Sequence, residues 1–292
     1  MESIGIITEE TADLPDNIIQ KHEIAIVPAI LNWPEIEALP GQNTFQKMRE
    51  LEKKGSMSFG KTSQPTPTEF LDKYGQQLKR FDNIICITFT SKLSGSYNSA
   101  VLAKKTLETE NQDRIFIVDS LNASGGQALV ILKAIDLIST GKNILEIVKE
   151  LEEFIPKVHL LVMLEDVKWL EASGRISSLV ANLIRGMAKI GIRPLMSFKE
   201  GALVPASLKI RAKEITDVLF RQFDKESEKS RQAGKKIRVV ITHGDYPEGA
   251  RRLKEKVEKE FAGVEVAFIN IINNVIGAPT GPNTLAFAWC EI

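Results

Sequence analysis

The stretch IICITFTSKLSGSY, residues 84–97, joins an unbroken apolar run to a polar loop. Ile84-Ile85-Cys86-Ile87 is apolar at every position, which is typical of a parallel strand that is covered on both faces. The hydroxyl-rich loop 90–96 follows it. The pattern predicts a helix from about Tyr97, with Ser94 available to cap it. A strand that leads directly into a helix is the repeating unit of a parallel α/β sheet.

The same pattern recurs through the first half of the chain. Further unbroken apolar runs predict strands at 4–7, 24–31 and 115–118, and apolar residues at helical spacing predict helices between strands. Alternating strands and helices favour a parallel sheet with helices on both sides, which is a Rossmann-like arrangement. A charged helix predicted over 142–153 ends at Pro156, so the N-terminal domain is predicted to span residues 1–156.

The second half, residues 157–292, mixes hairpins with crossovers. A hairpin is predicted from 193–198 and 203–210, and a long polar helix follows from Ala212 to about Arg231. Further strands are predicted at 159–163, 237–242, 264–272 and 285–289. Such connections favour a mixed sheet. The fold class predicted for the whole chain is therefore α/β with two domains, a parallel-sheet domain followed by a mixed-sheet domain.

The composition is that of an ordinary globular protein. Of the 292 residues, 43% are hydrophobic, and 38 Lys and Arg balance 38 Asp and Glu. This neutrality gives no reason to expect nucleic acid as a partner. No apolar run reaches the roughly 20 residues that cross a bilayer, and no signal segment is recognised at the start. The sequence therefore predicts a cytoplasmic protein with two buried thiols, Cys86 and Cys290, and no metal site.

Residues 55–62, GSMSFGKT, satisfy the phosphate-loop pattern G-x-x-x-x-G-K-[ST]. A phosphate loop follows a strand and starts a helix at its lysine. Here a helix is predicted before the motif, over 45–54, and Pro65 comes shortly after it. A nucleotide hydrolase that uses Lys61 and Thr62 is therefore a weak hypothesis.

Three hydroxyl-rich loops adjoin predicted helices. Residues 66–69, Thr-Pro-Thr-Glu, predict a capping box, which leaves the first loop just before that helix. The other two loops, 90–96 and 119–126, follow predicted strands, where open α/β sheets usually bind ligands. Helix N-termini and hydroxyl donors together favour a carboxylate or phosphate. The candidate residues in these loops are Thr62, Ser63, Ser94, Gly95 and Ser124.

Isolated cations and one histidine in the second half are further candidates. Arg175, in the segment Gly-Arg-Ile-Ser at 174–177, and Arg211 can pair with an anion or a partner surface. His243, which begins His-Gly-Asp after a predicted strand, can carry acid/base chemistry. A small-molecule enzyme that acts on an anionic substrate through His243 and the hydroxyl loops is therefore the alternative to a binding protein.

Short motifs extend in order through nearly the whole chain. They are Thr8 with 11–15 (TADLP), 62–67 (TSQPTP), 91–100 (SKLSGSYNSA), 118–120 (VDS) with 124–125 (SG), 164–167 (LEDV), 174–177 (GRIS), 243–245 (HGD) and 276–282 (IGAPTGP). In this order the chain resembles the DegV family.

The resemblance implies a fatty-acid-binding carrier without a catalytic site of its own. Such a carrier presents a long-chain fatty acid to a separate ATP-dependent kinase subunit, which converts the carboxylate to an acyl phosphate for phospholipid synthesis. No cofactor is implied beyond the bound fatty acid, and transient membrane contact is expected for lipid exchange. The implied headgroup residues are Thr62, Ser63, Ser94, Gly95, Ser124, His243 and Gly281. The implied partner-binding residues are Arg175 and Arg211.

The chain departs from the family pattern at several positions. Glu9-Glu10 stands where the family has Asp-Ser, which makes that loop bulkier and more acidic. Pro279 stands where the family has a histidine that helps to bind the headgroup, and Asn283 stands where it has glycine. Residues 32–42 are also unlike the family sequence. The change at Pro279 bears on the role as a kinase substrate more than on lipid binding.

The physical chemistry of the candidate residues suits a fatty acid. Burying one methylene gains about 0.8 kcal/mol, so a sixteen-carbon tail gains on the order of 10 kcal/mol before the costs of binding. The carboxylate must stay hydrogen-bonded, because an unpaired buried charge is costly. Thr62, Ser94 and helix-start N–H groups can supply those bonds. The C-terminal domain, 157–292, is expected to close the lipid pocket.

Overall fold

The computed structural model describes residues 2–56, 58–190, 192–210 and 214–292. The strands are β1 (Ile4–Glu9), β2 (Ala25–Val27), β3 (Ile30–Asn32), β4 (Lys61–Ser63), β5 (Asn83–Thr88), β6 (Ile115–Asp119), β7 (His159–Met163), β8 (Ile192–Lys199), β9 (Ala202–Ile210), β10 (Ile237–His243), β11 (Val264–Ile271) and β12 (Leu285–Glu291). The α-helices are α1 (Asp16–Lys21), α2 (Pro34–Glu37), α3 (Thr44–Lys53), α4 (Pro67–Gln77), α5 (Ser96–Lys105), α6 (Thr109–Gln112), α7 (Ser124–Ser139), α8 (Ile144–Phe154), α9 (Lys168–Ala172), α10 (Ser178–Lys189), α11 (Ile215–Gln232), α12 (Pro247–Glu260) and α13 (Asn274–Thr280). Short 3-10 helices cover Glu10–Ala12 and Ile155–Lys157.

The chain divides into two compact units, each made of separate segments. Unit 1 comprises Met1–Ile30, Ser63–Val158 and Lys199–Ala202, and unit 2 comprises Leu31–Thr62, His159–Phe198 and Leu203–Ile292. This grouping differs from the single boundary after residue 156 because Leu31–Thr62 belongs to unit 2. In that segment, Phe45 and Met48 of α3 share an apolar cluster with Trp169 of α9.

Unit 1 is built on a four-stranded sheet with the order β2-β1-β5-β6. All three strand pairs are parallel, with Ile6 opposite Ile85 and Cys86 opposite Ile117. The predicted parallel sheet is therefore confirmed. The apolar cluster on this sheet includes Phe70 and the buried ring of Tyr74.

The predicted strand 24–31 is wrong as a single element. The structure has two short strands there, β2 and β3, separated by Pro28 and Ala29. Proline lacks the N–H that a sheet ladder needs, which explains the break at Pro28. Because β2 pairs with β1 whereas β3 pairs with β4, the two halves of the run join different sheets.

The predicted helix starts follow their local signals. Thr66 accepts from the Glu69 N–H while the Glu69 carboxylate accepts from the Thr66 N–H, so the predicted capping box is present. A second capping box joins Asn143 and Glu146 at the start of α8. Both helices are therefore fixed at their N-termini by side chains close in sequence.

Unit 2 is built on a six-stranded sheet with the order β11-β10-β12-β7-β8-β9. Strands β10 and β11 are parallel, whereas β12 runs antiparallel to both β10 and β7. This confirms the predicted mixed sheet. Its core contains Phe223 of α11 and Phe287 of β12, both fully buried.

Helix α10 is an element that the sequence analysis does not predict. Its buried face carries Ala181 and Ile184. Leu179, Leu183 and Ile190, at or just beyond the helix, are 78%, 61% and 70% exposed. Apolar residues on two sides of the segment obscure the single stripe by which a helix is usually recognised. None of the helices in the described ranges is long and apolar enough to cross a membrane.

Candidate functional site

Two of the three predicted hydroxyl loops meet at the carboxyl edge of the unit 1 sheet. The Thr90 N–H donates to the Asn122 carbonyl at 3.0 Å, and the Ser91 N–H donates to Asp119 Oδ1 at 3.2 Å. These bonds join the loop after β5 to the loop after β6. The sequence predicts both loops at this sheet edge, and the structure brings them together.

Ser94 lies at the start of α5, where helix N–H groups are unpaired by the helix itself. The N-cap is Gly95, and Ser94 Oγ accepts from the Ser96 N–H at 3.2 Å. The Ser94 and Ser96 hydroxyls are 2.9 Å apart, and either can be the donor. The prediction that Ser94 caps α5 is therefore wrong, because the N-cap is Gly95 and Ser94 lies one residue before it.

Gly95 is crowded by a side chain from the first predicted loop. A Cβ at Gly95 would lie 2.4 Å from Gln64 Nε2, so the Gln64 amide occupies the space that a larger residue would need. The prediction that Thr62 and Ser63 lie in a loop is wrong. In the structure both residues belong to β4. The two fall in different units, with Thr62 in unit 2 and an exposed Ser63 in unit 1.

Ser124 is buried, and its hydroxyl is engaged inside the protein. Ser124 Oγ donates to the Asp13 carboxylate. A serine hydroxyl has one proton to donate, so this proton is not directed to a ligand in the structure. Ser124 also has a φ of 48°, in the left-handed region that non-glycine residues rarely adopt.

Glu9 is a buried acid that the sequence analysis treats only as a departure from a family pattern. It ends β1 and is 1% exposed. Glu9 Oε2 accepts from the Phe89 N–H at 2.7 Å, and Oε1 has no hydrogen-bond partner among the described residues. Burial raises the pKa of Glu9 to about 7, although the Ser96 hydroxyl and the Phe89 N–H oppose the shift. The residues Glu9, Ser94, Ser96 and Ser124 are called the hydroxyl set below.

In unit 2 the structure joins two candidates that the sequence analysis assigned to different roles. Arg175 Nη2 donates to Thr62 Oγ1 at 3.1 Å. Arg175 is half-buried, and burial lowers the pKa of its guanidinium, which nevertheless stays charged. No carboxylate within the described ranges forms an ion pair with Arg175. The two residues are called the arginine pair below.

His243 and Gly281 lie in adjoining loops of unit 2. His243 ends β10, is 8% exposed, and its Nδ1 accepts from the Tyr246 N–H at 3.1 Å. Burial lowers the pKa of His243, against the carboxylates of Asp245 and Glu248. The ring is therefore neutral at pH 7 with its proton on Nε2, which makes Nε2 a donor.

Glycine is required at the join between these two loops. Gly281 has a φ of 83°, and a Cβ there would lie 2.2 Å from Trp169 Cδ1. A Cβ at Gly244 would lie 2.7 Å from the Gly281 carbonyl oxygen. The Gly244 N–H donates to the Thr284 carbonyl at 2.8 Å, which holds the loops in contact.

The Asp245 carboxylate is committed to groups other than His243. It pairs with Arg49 and accepts from Asn43 Nδ2 at 3.0 Å. Burial by itself would raise the pKa of Asp245, but the hydrogen bonds from Arg49 and Asn43 outweigh it and lower the pKa. Arg49 also donates to Asn283 Oδ1 at 2.9 Å. The carboxylate therefore does not orient His243 as an acid/base dyad would require.

The departures from the family pattern have local explanations. Asn283 adopts a φ of 57°, and asparagine tolerates the left-handed region better than most side chains. Pro279 is buried in the last turn of α13 and carries no N–H or side-chain donor. The structure therefore accommodates Asn283 in a glycine-like conformation, whereas Pro279 supplies no hydrogen bond.

Lys61 lies in β4 and the next helix starts at Pro67, so residues 55–62 lack the strand-loop-helix context of a phosphate loop. Cys86 and Cys290 are both buried, as predicted. No cluster of three metal-ligating His, Cys, Asp or Glu side chains occurs in the described part of the chain. Arg211 lies outside the described residues.

Hydroxyl groups lie at the edge of the parallel sheet, and an arginine donates to a threonine hydroxyl. These features are typical of an α/β protein that binds a small anion. The particular family follows from the sequence. Residues 3–291 match the profile described as uncharacterised protein, DegV family. The chain belongs to the DegV family.

Similar proteins come from several bacteria. A DegV domain-containing protein from Clostridium acetobutylicum is 35% identical over 209 residues, which cover 70% of this chain and 71% of that protein. A fatty acid-binding protein from Thermotoga maritima is 28% identical over 298 residues, which cover 97% and 96% of the two chains. A solved Thermotoga maritima structure that reveals a fatty acid binding function has a TM-score of 0.77 at 25% identity and covers both chains completely.

Proposed function

We propose that this protein binds a long-chain fatty acid, holding its carboxylate by polar side chains and burying its tail. Similarity to the Thermotoga maritima fatty acid-binding protein supports the ligand class. The observation that carries the proposal is the arginine pair, a half-buried guanidinium that is bonded to a threonine hydroxyl and to no carboxylate in the described ranges.

The arginine pair suits a carboxylate ligand on chemical grounds. A partly buried charge without an opposite charge is costly, and a ligand anion would remove that cost. Thr62 Oγ1 accepts from Arg175 and keeps its own proton to donate. The pair therefore offers an incoming carboxylate a cation and a hydroxyl donor that lie 3.1 Å apart.

Other predicted headgroup residues keep a donor for the ligand. Ser94 and the N–H groups at the start of α5 form a neutral donor set, and neutral His243 offers its Nε2–H. Gly95 and Gly281 stay predicted headgroup residues through their backbones. Ser124 is the weakest of the set, because its hydroxyl donates to Asp13.

Two apolar clusters of unit 2 include residues close in sequence to the arginine pair, and they are proposed to bury the tail. Strand β3 pairs with β4, which carries Thr62. Leu31 of β3 and Phe59, just before β4, pack against the cluster that contains Trp33 and Trp169. In the second cluster, Ile176 follows Arg175 in the chain and packs against Ala181 and Ile184. Each methylene buried there would contribute about 0.8 kcal/mol.

The protein is proposed to act as a carrier that presents the fatty acid to a separate ATP-dependent kinase subunit. The absence of phosphate-loop context around Lys61 supports a nucleotide site on the partner. Partner contact stays a prediction for Arg175 and for Arg211. The purified chain alone is expected to form no acyl phosphate from ATP and oleate. Addition of the kinase subunit is expected to start the reaction.

Transient contact with a bilayer during lipid exchange is part of the same proposal. Leu179, Leu183 and Ile190 are exposed along one side of α10 and the turn after it, and Lys189 is exposed beside them. Exposed apolar residues flanked by a cation favour the interface of an anionic membrane. Sedimentation with anionic vesicles should fall when Leu179 and Leu183 are both replaced by Ser.

The direct test is mass spectrometry of lipids extracted from purified protein. Wild type should carry about one fatty acid per chain, and the Thr62→Val and Ser94→Ala variants should carry less, because each loses a hydroxyl donor at similar volume. The matched control is Thr140→Val, since that hydroxyl donates to the Leu137 carbonyl of its own helix.

Two results would contradict the proposal. One is wild type that carries no fatty acid and takes up neither palmitate nor oleate when they are offered. The other is a stoichiometric lipid that is lost equally from Thr62→Val and Thr140→Val, which would mean that the hydroxyl of Thr62 has no special role.

A further inference from the structure

Thr90 begins the loop that carries the predicted headgroup donor Ser94, and its backbone is bonded on both sides. The Thr90 N–H donates to the Asn122 carbonyl at 3.0 Å. The Thr90 carbonyl accepts from the N–H groups of Leu93 and Ser94 at 3.2 and 3.3 Å. Thr90 is also fully buried, with 0% of its surface exposed. It is therefore fixed in the protein while it fixes the backbone of Ser94.

The Thr90 hydroxyl joins this loop to the turn between β8 and β9. Thr90 Oγ1 donates to the Gly201 carbonyl at 2.9 Å and accepts from the Lys92 N–H at 3.3 Å. A carbonyl only accepts and an N–H only donates, so the single hydroxyl proton of Thr90 points to Gly201. One side chain therefore holds the loop and the turn together across 111 positions of sequence.

The turn fits closely against both hydroxyl loops of unit 1. Lys199–Ala202 groups with unit 1, although most of β8 and β9 belongs to unit 2. Gly201 is buried and has a φ of 82°. A Cβ at Gly201 would lie 2.5 Å from Thr90 Oγ1 and 3.1 Å from Leu121 Cδ2, one contact in each loop. Both the backbone conformation and the space therefore require glycine at this point of the turn.

We propose that Thr90 is a positioning residue of the headgroup site, which anchors the Ser94 loop to the turn 199–202 and so holds the Ser94 hydroxyl in place for an anionic ligand. The inference rests on the proposed function, because it takes Ser94 as a donor to the fatty-acid carboxylate. Thr90 itself does not donate to the ligand, since its hydroxyl proton is bound to the Gly201 carbonyl.

The anchor is expected to raise affinity by preorganisation. A donor on a loop that is already fixed loses less conformational freedom when a ligand binds than a donor on a loose loop. Ser94 is half-buried, and its backbone N–H is held by the Thr90 carbonyl. Without the bond to Gly201, the loop keeps its tie from the Ser91 N–H to Asp119 but loses its tie to the turn. The loop should then stay folded while Ser94 becomes less well placed.

Displacement of a fluorescent fatty acid by oleate measures the effect on affinity in the full-length chain. Thr90→Val removes the hydroxyl and should raise the dissociation constant by about three- to tenfold, close to the loss expected of Ser94→Ala. Thr90→Ser keeps the hydroxyl and should bind within about twofold of wild type. Thr8→Val is the matched control. The Thr8 hydroxyl is equally buried in unit 1 but donates to the Ile87 carbonyl, so this variant should keep the wild-type affinity.

A double-mutant cycle separates positioning from a general loss of stability. If Thr90 acts through Ser94, Thr90→Val should weaken binding in wild type but by less than about twofold in Ser94→Ala, because the hydroxyl that it positions is absent there. A merely structural Thr90 would weaken binding by the same factor in both backgrounds. Urea denaturation of wild type, the two single variants and the double variant shows that each is folded.

Gly201→Ala tests the anchor from the side of the turn. The new methyl group would meet Thr90 Oγ1, so the hydroxyl and the turn must move apart. The variant should weaken oleate binding about as much as Thr90→Val does, and the two changes together should add little to either alone. If Gly201→Ala does not fold, the cycle of Thr90 with Ser94 decides the question.

Two results would overturn the inference and leave the proposed function standing. One is Thr90→Val that binds oleate as tightly as wild type does. The other is Thr90→Val that weakens binding by the same factor with and without the Ser94 hydroxyl. Wild type that binds no oleate would instead contradict the proposed function itself.

Discussion

The hydroxyl set of unit 1 and the arginine pair of unit 2 both fit the sequence pattern of an anion site, but their charges differ. Glu9 is buried within the hydroxyl set, which contains no cation. Arg175 gives the arginine pair a permanent positive charge without a carboxylate partner in the described ranges. Serines and threonines in similar sequence patterns can therefore differ in whether they favour an anionic ligand. The charged group beside each hydroxyl determines that difference.

The largest expected effects concern one glycine of each unit, Gly281 in unit 2 and Gly95 in unit 1. Gly281→Ala is expected to lower the free energy of unfolding by roughly 3 kcal/mol or more, since the new methyl group meets the Trp169 ring at a positive φ. Gly95→Ala should cost less than about 1 kcal/mol, because φ is −82° and the movable end of Gln64 can shift. Urea denaturation measures both. Equal losses would mean that the two glycines are under the same constraint.

The pH dependence of stability tests the buried charge of the hydroxyl set. Glu9 has an ordinary pKa of 4.5 and a folded-state pKa of about 7, so the folded state holds the proton more tightly. The stabilisation of the folded state by protonated Glu9 is fully present below pH 4.5 and is lost as the pH rises through about 7. The loss is about 3 kcal/mol, because one pKa unit corresponds to about 1.4 kcal/mol.

Glu9→Gln should remove this pH dependence and leave the protein more stable than wild type at pH 8. Urea denaturation of both proteins at pH 4.5 and pH 8 provides the comparison. The difference between variant and wild type should change by about 3 kcal/mol over that range. A constant difference would show that the Glu9 carboxylate is not penalised by burial.

Local features of these regions were predictable from the sequence. The Thr66 capping box needs only four consecutive residues, and the buried strands need only an unbroken apolar run. The break at Pro28 also has a local signal, because the proline within the run 24–31 lacks the N–H that a strand needs.

Long-range partners were not predictable in this way. Arg175 and Thr62 are 113 positions apart, and no periodicity links a guanidinium to one hydroxyl among many. The grouping of Leu31–Thr62 with unit 2 depends on the packing of α3 against Trp169, again across more than a hundred residues. The burial of Glu9 had a weak signal, since an acid that ends an apolar strand lies at the ligand-binding edge of the sheet.

Removing the charge of the arginine pair should weaken fatty-acid binding more than any change to a neutral hydroxyl. Arg175→Gln is expected to raise the dissociation constant for oleate by roughly 10- to 100-fold, because a charge-assisted hydrogen bond is worth about 1.5 to 3 kcal/mol. Displacement of a fluorescent fatty acid measures the change. The control is Arg185→Gln, an arginine of unit 2 that is paired with Glu171. Similar losses in both variants would point to a general effect of charge.

The smallest effect is expected at Ser124, and it tests which hydroxyls of the hydroxyl set are available to a ligand. Ser124 donates to Asp13, so Ser124→Ala should change the affinity for oleate by less than about twofold. Ser94→Ala removes a hydroxyl that can donate outward and should weaken binding by about 5- to 10-fold, as expected for one hydrogen bond of about 1 kcal/mol. Both variants are measured at the same pH by displacement of a fluorescent fatty acid. If Ser124→Ala weakens binding as much as Ser94→Ala does, the ligand must compete with Asp13 for the Ser124 proton, and the hydroxyl set would bind its anion through the loop after β6 as well.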